Sequence, residues 1–397
     1  MLSRRRFLSA ALALPSLALV PPSLTRAQAS PSGALVDPDL WHYLTLSPTS
    51  IASPMQAMPL LAGNQLLQAE TLDIALPFDM NDDEQMHAWI QGMHSVTTPV
   101  FILQHVMRPE WDELTGFDIS QITTGAEIGE PPAQVTFLRG TFDPAFVQAA
   151  QLLGGYTPLE VGGRVVMSLN ETDDVDLTNT LQSMVLARMN NSTMLDDGTL
   201  VYAPTLELIE QVLAPESTLS DLPEVVRAIN TLDEPLISGA VLGPGNFLPG
   251  IPVEMFVPQS QDEIAAAILA MREQEPAPVV LAAIAGSTPG GPISLDEVAI
   301  DATPDPFGLT TQPKSVTKLA LAYATPEEAE IAAGQIQERL ATGSSMVDQQ
   351  PWTELFSTWS AVANPETSSV LLTIEWRDRP ANTLALIYNR DLGFVTG

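Results

Sequence analysis

Cysteine is absent from the 397 residues. Its absence excludes disulfides, thiolate nucleophiles, cysteine-ligated zinc, iron–sulfur clusters and a lipid anchored on cysteine, so burial alone must hold the fold. Basic residues are nearly as scarce: 16 Lys and Arg stand against 48 Asp and Glu, a formal charge of −32, and the lysines are Lys314 and Lys318. A phosphate backbone has to be neutralised by clustered Lys and Arg, and an anionic bilayer surface attracts the same residues. No nucleic-acid partner is therefore expected, and anionic membrane surfaces are disfavoured for the same reason. Excess acid suits a soluble exported protein, with a salt-rich or calcium-rich habitat as the sharper alternative. Hydrophobic residues reach 45%, ample for a core, and the length allows two domains or one large one.

A spanning hydrophobic run is also missing at the N-terminus. The uncharged stretch Ala10–Val20 ends at Pro21-Pro22, well short of the roughly 20 residues that cross a bilayer. With the basic head before it and Ala27-Gln28-Ala29 after it, this reads as a signal peptide cleaved after Ala29. The run Ser3-Arg4-Arg5-Arg6-Phe7-Leu8-Ser9 resembles the twin-arginine (Tat) export motif, matching at Arg4, Arg5, Phe7 and Leu8, with Ser9 where a lysine is common. The resemblance implies export of a folded chain to the periplasm, envelope or extracellular space, with no transmembrane anchor left after cleavage. Residues 1–29 carry four arginines and no acid, so their loss takes the charge from −32 to −36.

Residues 30–59 are rich in Pro, Ser, Ala and Gln and read as a linker. Two α+β lobes are expected to follow, 60–215 and 216–397, similar to one another, each a mainly antiparallel sheet with helices packed on one face. Thr71–Leu76 reads as a strand and Asn81–His94 as a helix. Asp143-Pro144 and Thr325-Pro326 each open a helix, the first stopped by Gly154-Gly155 and the second running to Leu340. Strand-like segments include Val135–Leu138, Arg164–Leu169, Leu236–Leu242, Ile251–Val257, the fully apolar Val279–Ala285, Lys318–Tyr323 and Val370–Trp376. Gln261–Glu273 and Trp352–Trp359 read as helices. The parallel between Thr136–Pro144 and Leu319–Pro326, each a strand running into a proline-started helix, is what suggests related lobes.

The phrases Trp111–Asp118, Arg139–Asp143 and Leu195–Tyr202 give the body a style similar to that of exported bacterial proteins with no assigned activity. The resemblance carries no activity to any residue.

Catalytic constellations fail on their spacing. His87 and His94 are seven apart on one helix face, about 10.5 Å along the axis, too far to share an ion. Asp173, Asp174 and Asp176 lie in the densest acidic stretch, Asn170–Asn179. They are the candidate calcium ligands, although counting from Asp174 the EF-hand glycine and final glutamate positions hold Asn179 and Val185. The competing reading is a helix N-terminus favoured by acids. Ser315-Val316-Thr317-Lys318 has the Ser-x-x-Lys spacing but precedes a strand, and Gly286-Ser287-Thr288-Pro289-Gly290 misplaces the serine of a nucleophile elbow. No phosphate-binding glycine motif is present, and no cofactor is predicted. Trp352, Phe356 and Trp359 at i, i+4, i+7 suit core packing better than sugar stacking. Glu354 with Asp348, or Glu375 with Asp378, would be the carboxylates of a glycosidase.

The reading that results is an exported, non-catalytic binding or envelope-associated protein whose partner is a small ligand or an envelope protein. Its alternatives are a carboxylate-based hydrolase exported folded and a calcium-dependent surface protein.

Overall fold

The computed structural model describes residues 36–79, 108–247, 278–289, 315–377 and 383–396, less a few positions inside those ranges, with isolated residues between 82 and 89. Residues 1–29, the histidines His87, His94 and His105, and the segments 251–257 and 261–273 lie outside the described residues.

Helix α1, Pro38–Leu46, starts where the Asp37 carboxylate accepts a hydrogen bond from the Leu40 amide and Pro38 fills the first turn. It lies within the stretch expected to be a linker. Leu40, Tyr43 and Leu44 give it an apolar face that is fully buried, a pattern hidden by the Pro and Ser content on either side. Strand β1, Leu60–Asn64, leads directly into α2, Gln65–Thr71. The strand expected at Thr71–Leu76 is not formed, because the strong helix formers Gln65 to Glu70 take the chain through Thr71 as helix. Then come α3, Trp111–Thr115, and strands β2, Ile122–Ile128, and β3, Val135–Gly140.

Helix α4, Pro144–Leu153, is capped by Asp143 as expected, and β4, Thr157–Val161, and β5, Arg164–Ser168, form a hairpin after it. Helix α5, Thr180–Val185, strands β6, Asn191–Met194, and β7, Leu200–Ala203, and helix α6, Leu206–Leu213, complete this side. Helix α7, Pro223–Ile229, precedes β8, Ser238–Leu242. Strands β9, Ala282–Pro289, and β10, Ser315–Ala322, lead to α8, Pro326–Thr342. The chain continues through α9, Trp352–Leu355, β11, Phe356–Asn364, β12, Ser369–Trp376, α10, Thr383–Tyr388, and α11, Gly393–Thr396. The helix expected over Trp352–Trp359 therefore stops after one turn. The β-branched and aromatic composition of Phe356–Asn364 selects a strand, which places Trp359 on β11 and not on a helical stripe. Trp352 and Phe356 still stack, 5.3 Å apart and 9° from parallel.

The fold is α+β with one large antiparallel sheet of 12 strands in the order β11-β12-β10-β9-β8-β1-β2-β3-β7-β6-β5-β4. Its seam is β1 against β8, paired from Leu60 with Val241 to Gly63 with Ser238. From the seam the chain runs outward along the same path twice. β1, β2 and β3 are neighbours in order, as are β8, β9 and β10; a crossover helix follows, α4 or α8. The last strand of each run, β7 or β12, then pairs with the third, and the strand before it, β6 or β11, lies outside. The β4–β5 hairpin is an addition to the first run.

Side chains alternate across the strands, so each strand feeds two cores. Leu60, Ala62, Ile128, Phe137, Val241 and Ile284 face α1, α6 and α7 in a core that crosses the seam without a break. The opposite face carries two cores, one of Leu138, Leu200 and Tyr202 under α4 and α5, the other of Leu319, Leu372 and Ile374 under α8 to α11. Helices thus cover both faces of the sheet, which corrects the expected single covered face. The apolar run in Val279–Ala285 already carried this sign, since a strand buried on both sides loses its polar alternation.

Candidate functional site

Segments far apart in sequence bring polar side chains together along α1. Asp39 accepts from Arg139 Nη1 of β3 at 3.1 Å and from Asn64 Nδ2 at the end of β1, also at 3.1 Å. One turn on, His42 Nε2 lies 3.1 Å from Asp197 Oδ2 and 3.1 Å from Thr199 Oγ1, both in the β6–β7 turn. The Tyr43 hydroxyl sits 2.7 Å from Thr124 Oγ1 of β2. Burial holds the His42 imidazole below its ordinary pKa against the pull of Asp197, and burial keeps the Tyr43 phenol protonated.

The carboxylate–histidine pair invites comparison with a catalytic relay. In a relay the carboxylate orients one ring nitrogen while the other faces the nucleophile. Here Asp197 and Thr199 share Nε2, and the second Asp197 oxygen accepts from the Thr199 amide at 2.9 Å. The group is a clasp that holds α1 against a tight turn.

A second clasp joins the seam. Asp37, 2% exposed, accepts from the Leu40 amide on one oxygen and the Leu236 amide on the other, each at 2.9 Å, tying α1 to the segment that leads into β8. Burial lifts its pKa in spite of both bonds. Beside it a depression of about 10 Å³, the size of one water, is lined by Asp39, Tyr43, Asn64, Leu236 and Gly239. That is far below the several hundred Å³ of a metabolite pocket.

The other side of the seam repeats the theme on β10. Lys318 Nζ lies 3.0 and 3.1 Å from the two oxygens of Asp233 and 3.1 Å from Glu234, with a side chain only 7% exposed. On the opposite face of β2, Glu127 is 5% exposed, and burial raises its carboxyl to about 7 against the pull of Arg188, whose Nη1 is 3.8 Å away.

Asp173, Asp174 and Asp176 lie on an exposed loop and turn to near neighbours. Asp176 accepts from the Thr178 amide at 2.9 Å and its hydroxyl at 2.6 Å, which holds its pKa below the ordinary value. Asp174 accepts from the Thr172 hydroxyl at 2.9 Å, and Asn190 Nδ2 anchors the loop by donating to the Thr172 and Asp174 carbonyls at 2.9 and 3.0 Å. The cap of α5 is Asn179, so the acids precede the first turn that the helix-dipole reading assigned them. Among the described residues, no group of three His, Asp or Glu is arranged to hold a metal ion. Glu354 lies on α9 and Glu375 on β12, while Asp378 is outside the described residues. Arg4, Arg5, Phe7 and Leu8 are outside them too.

Sequence reasoning missed Asp39, His42, Arg139, Asp197 and the Lys318–Asp233 pair. The turn Asp197-Gly198 and the phrase beginning at Arg139 were legible as structure, but nothing local links them to α1. No helix among the described residues is long and apolar enough to cross a membrane. Comparison with protein-family models, curated proteins and solved structures finds no match to the chain.

Proposed function

We propose that the chain is exported by a Tat-type signal and acts in the periplasm, envelope or extracellular space as a non-catalytic protein, built of two related lobes, that binds a protein partner. One observation carries the reading: the reactive side chains that meet along α1 are spent on one another, with His42 offering one nitrogen to both Asp197 and Thr199. The water-sized depression at the seam favours a surface partner over an enclosed small ligand. The relatedness of the lobes is supported by the strand path repeated on each side of β1–β8. A buried or half-buried base also recurs on the third strand of each run, Arg139 on β3 and Lys318 on β10, each paired with acid from the chain before that run, Asp39 on α1 and Asp233 in the bend after α7.

Native mass spectrometry of the protein from its own host, with glycoside, ester and phosphate assays on the same sample, tests the reading. The expected result is the mass of residues 30–397 with no added group and no turnover. Turnover that disappears in Asp197→Asn, or an added cofactor mass, overturns it. Export is tested separately: Arg4→Lys with Arg5→Lys should leave the precursor in the cytoplasm, and unchanged export would refute the twin-arginine assignment.

A further inference from the structure

Helix α4 combines an uncharged sequence with exposed apolar side chains. Its sequence, PAFVQAAQLL, has no charge in a chain of −32. Val147, Ala150 and Gln151 pack inward, while Phe146 is 50% exposed and Leu153 71% exposed. With Ala149 between them at i, i+3, i+7, these residues form one apolar stripe facing solvent. The stripe continues past the helix: Asn179 Nδ2 donates to the Gly154 carbonyl at 3.3 Å, which brings the loop before α5, with Leu177 69% exposed, to the end of α4.

The rim is acidic on both sides. Asp173, Asp174 and Asp176 lie on that loop, and Asp112 and Glu113 lie on α3. Gly116 ends α3 in a left-handed turn so close to α4 that a Cβ there would stand 2.5 Å from the Phe146 carbonyl, which holds the end of α3, three residues beyond Glu113, against the start of α4. No Lys or Arg occurs in 140–163 or 165–187. An apolar centre with a charged rim is the anatomy of a protein interface, and a single-sign rim selects the opposite sign. A second copy of this chain would set acid against acid.

We propose that this surface docks a basic amphipathic helix of a partner protein, its apolar side on Phe146 and Leu153 and its Lys or Arg side chains on the rim. The proposal rests on the partner-binding reading above and fails separately from it, since catalysis is judged by turnover and this surface by an isotherm. The experiment is fluorescence anisotropy of the exported chain, 30–397, against a peptide of about 18 residues with Leu at helical i, i+3, i+4, i+7 spacing and Lys elsewhere. A second peptide carries Glu in place of Lys. At about 0.15 M salt the Lys peptide should bind and the Glu peptide should not. Phe146→Ser with Leu153→Ser should weaken binding roughly tenfold or more with the melting temperature unchanged. Should that pair lower the melting temperature, Leu153→Gln alone carries the test in the same direction. Asp173→Asn with Asp174→Asn and Asp176→Asn should reduce both the affinity and its salt dependence.

Equal binding by the wild type and the Phe146/Leu153 variant would mean general attraction to an acidic protein and would overturn the proposal. A wild-type dimer in sedimentation that the same variant makes monomeric would overturn it in favour of a second copy.

Discussion

Helices α4 and α8 occupy the same place in two runs of the same path, and they differ in charge: α8 also exposes an apolar side chain, Ile331 at 50%, but sets it among acids. α8 buries Ala329, Ala332, Ala333, Ile336 and Leu340, and carries Glu327, Glu328, Glu330, Glu338 and Arg339 along its length. α4 has ten residues, no charge, and Phe146 and Leu153 in solvent. The sheet ends differ as well. Edge strand β4 holds Pro158 and Glu160, both of which discourage further pairing. Edge strand β11 has no charge, and Gln337 of α8 donates to its Ala361 carbonyl at 2.8 Å. The strand path is common to the two runs and the outward-facing residues are not, so whatever separates the two halves functionally is to be sought on their outsides.

The comparison can be broken at its structural base. Phe356 packs 5.3 Å from Trp352, 5.0 Å from Trp376 and 6.5 Å from Phe394, all in the C-terminal core. Phe356→Ala should cost about 3–5 kcal/mol in urea unfolding. Because the core on the other face crosses the seam, the whole chain should still unfold in one transition at a lower midpoint. Two transitions, with only one displaced, would mean that the halves are separate units.

A smaller effect sharpens the asymmetry on the N-terminal side. The folded chain keeps the Glu127 proton up to about 7, whereas the unfolded chain releases it near 4.5. The resulting stabilisation is complete below 4.5 and is lost as pH rises through about 7, a span worth up to about 3 kcal/mol. Glu127→Gln should remove that slope and melt above the wild type beyond pH 7. Parallel curves of melting temperature against pH would contradict the assignment.

The ion pairs of Lys318 and Arg139 should differ least of all. Asp233→Asn with Glu234→Gln leaves the Lys318 ammonium buried without a counter-charge, at a loss of about 2 kcal/mol. Asp39→Asn, facing the more exposed Arg139, should lose less than about 1 kcal/mol. Equal midpoints in urea for the two variants would show that burial does not distinguish the two ion pairs.

Local chemistry was legible in the sequence wherever a signal was short. Asp143-Pro144 and Thr325-Pro326 announced the two crossover helices. Composition misled at α1, where Leu40, Tyr43 and Leu44 were outweighed by neighbouring Pro and Ser, and at Trp352–Trp359, where helical spacing occurred in a strand-forming run. The β1–β8 seam could not be read at all, since Leu60 and Val241 carry no mark of one another. The polar clasp was hidden for the same reason: Asp39, Arg139 and Asp197 meet only after the sheet has formed.

Hydrogen exchange on residues 30–397, with and without the Leu–Lys peptide, tests the central claim most directly, because it examines both crossover helices in one experiment. The account predicts added protection over 144–153 and 170–179 and none over 326–342. Protection of 326–342 to the same degree, or none at either helix, would contradict it.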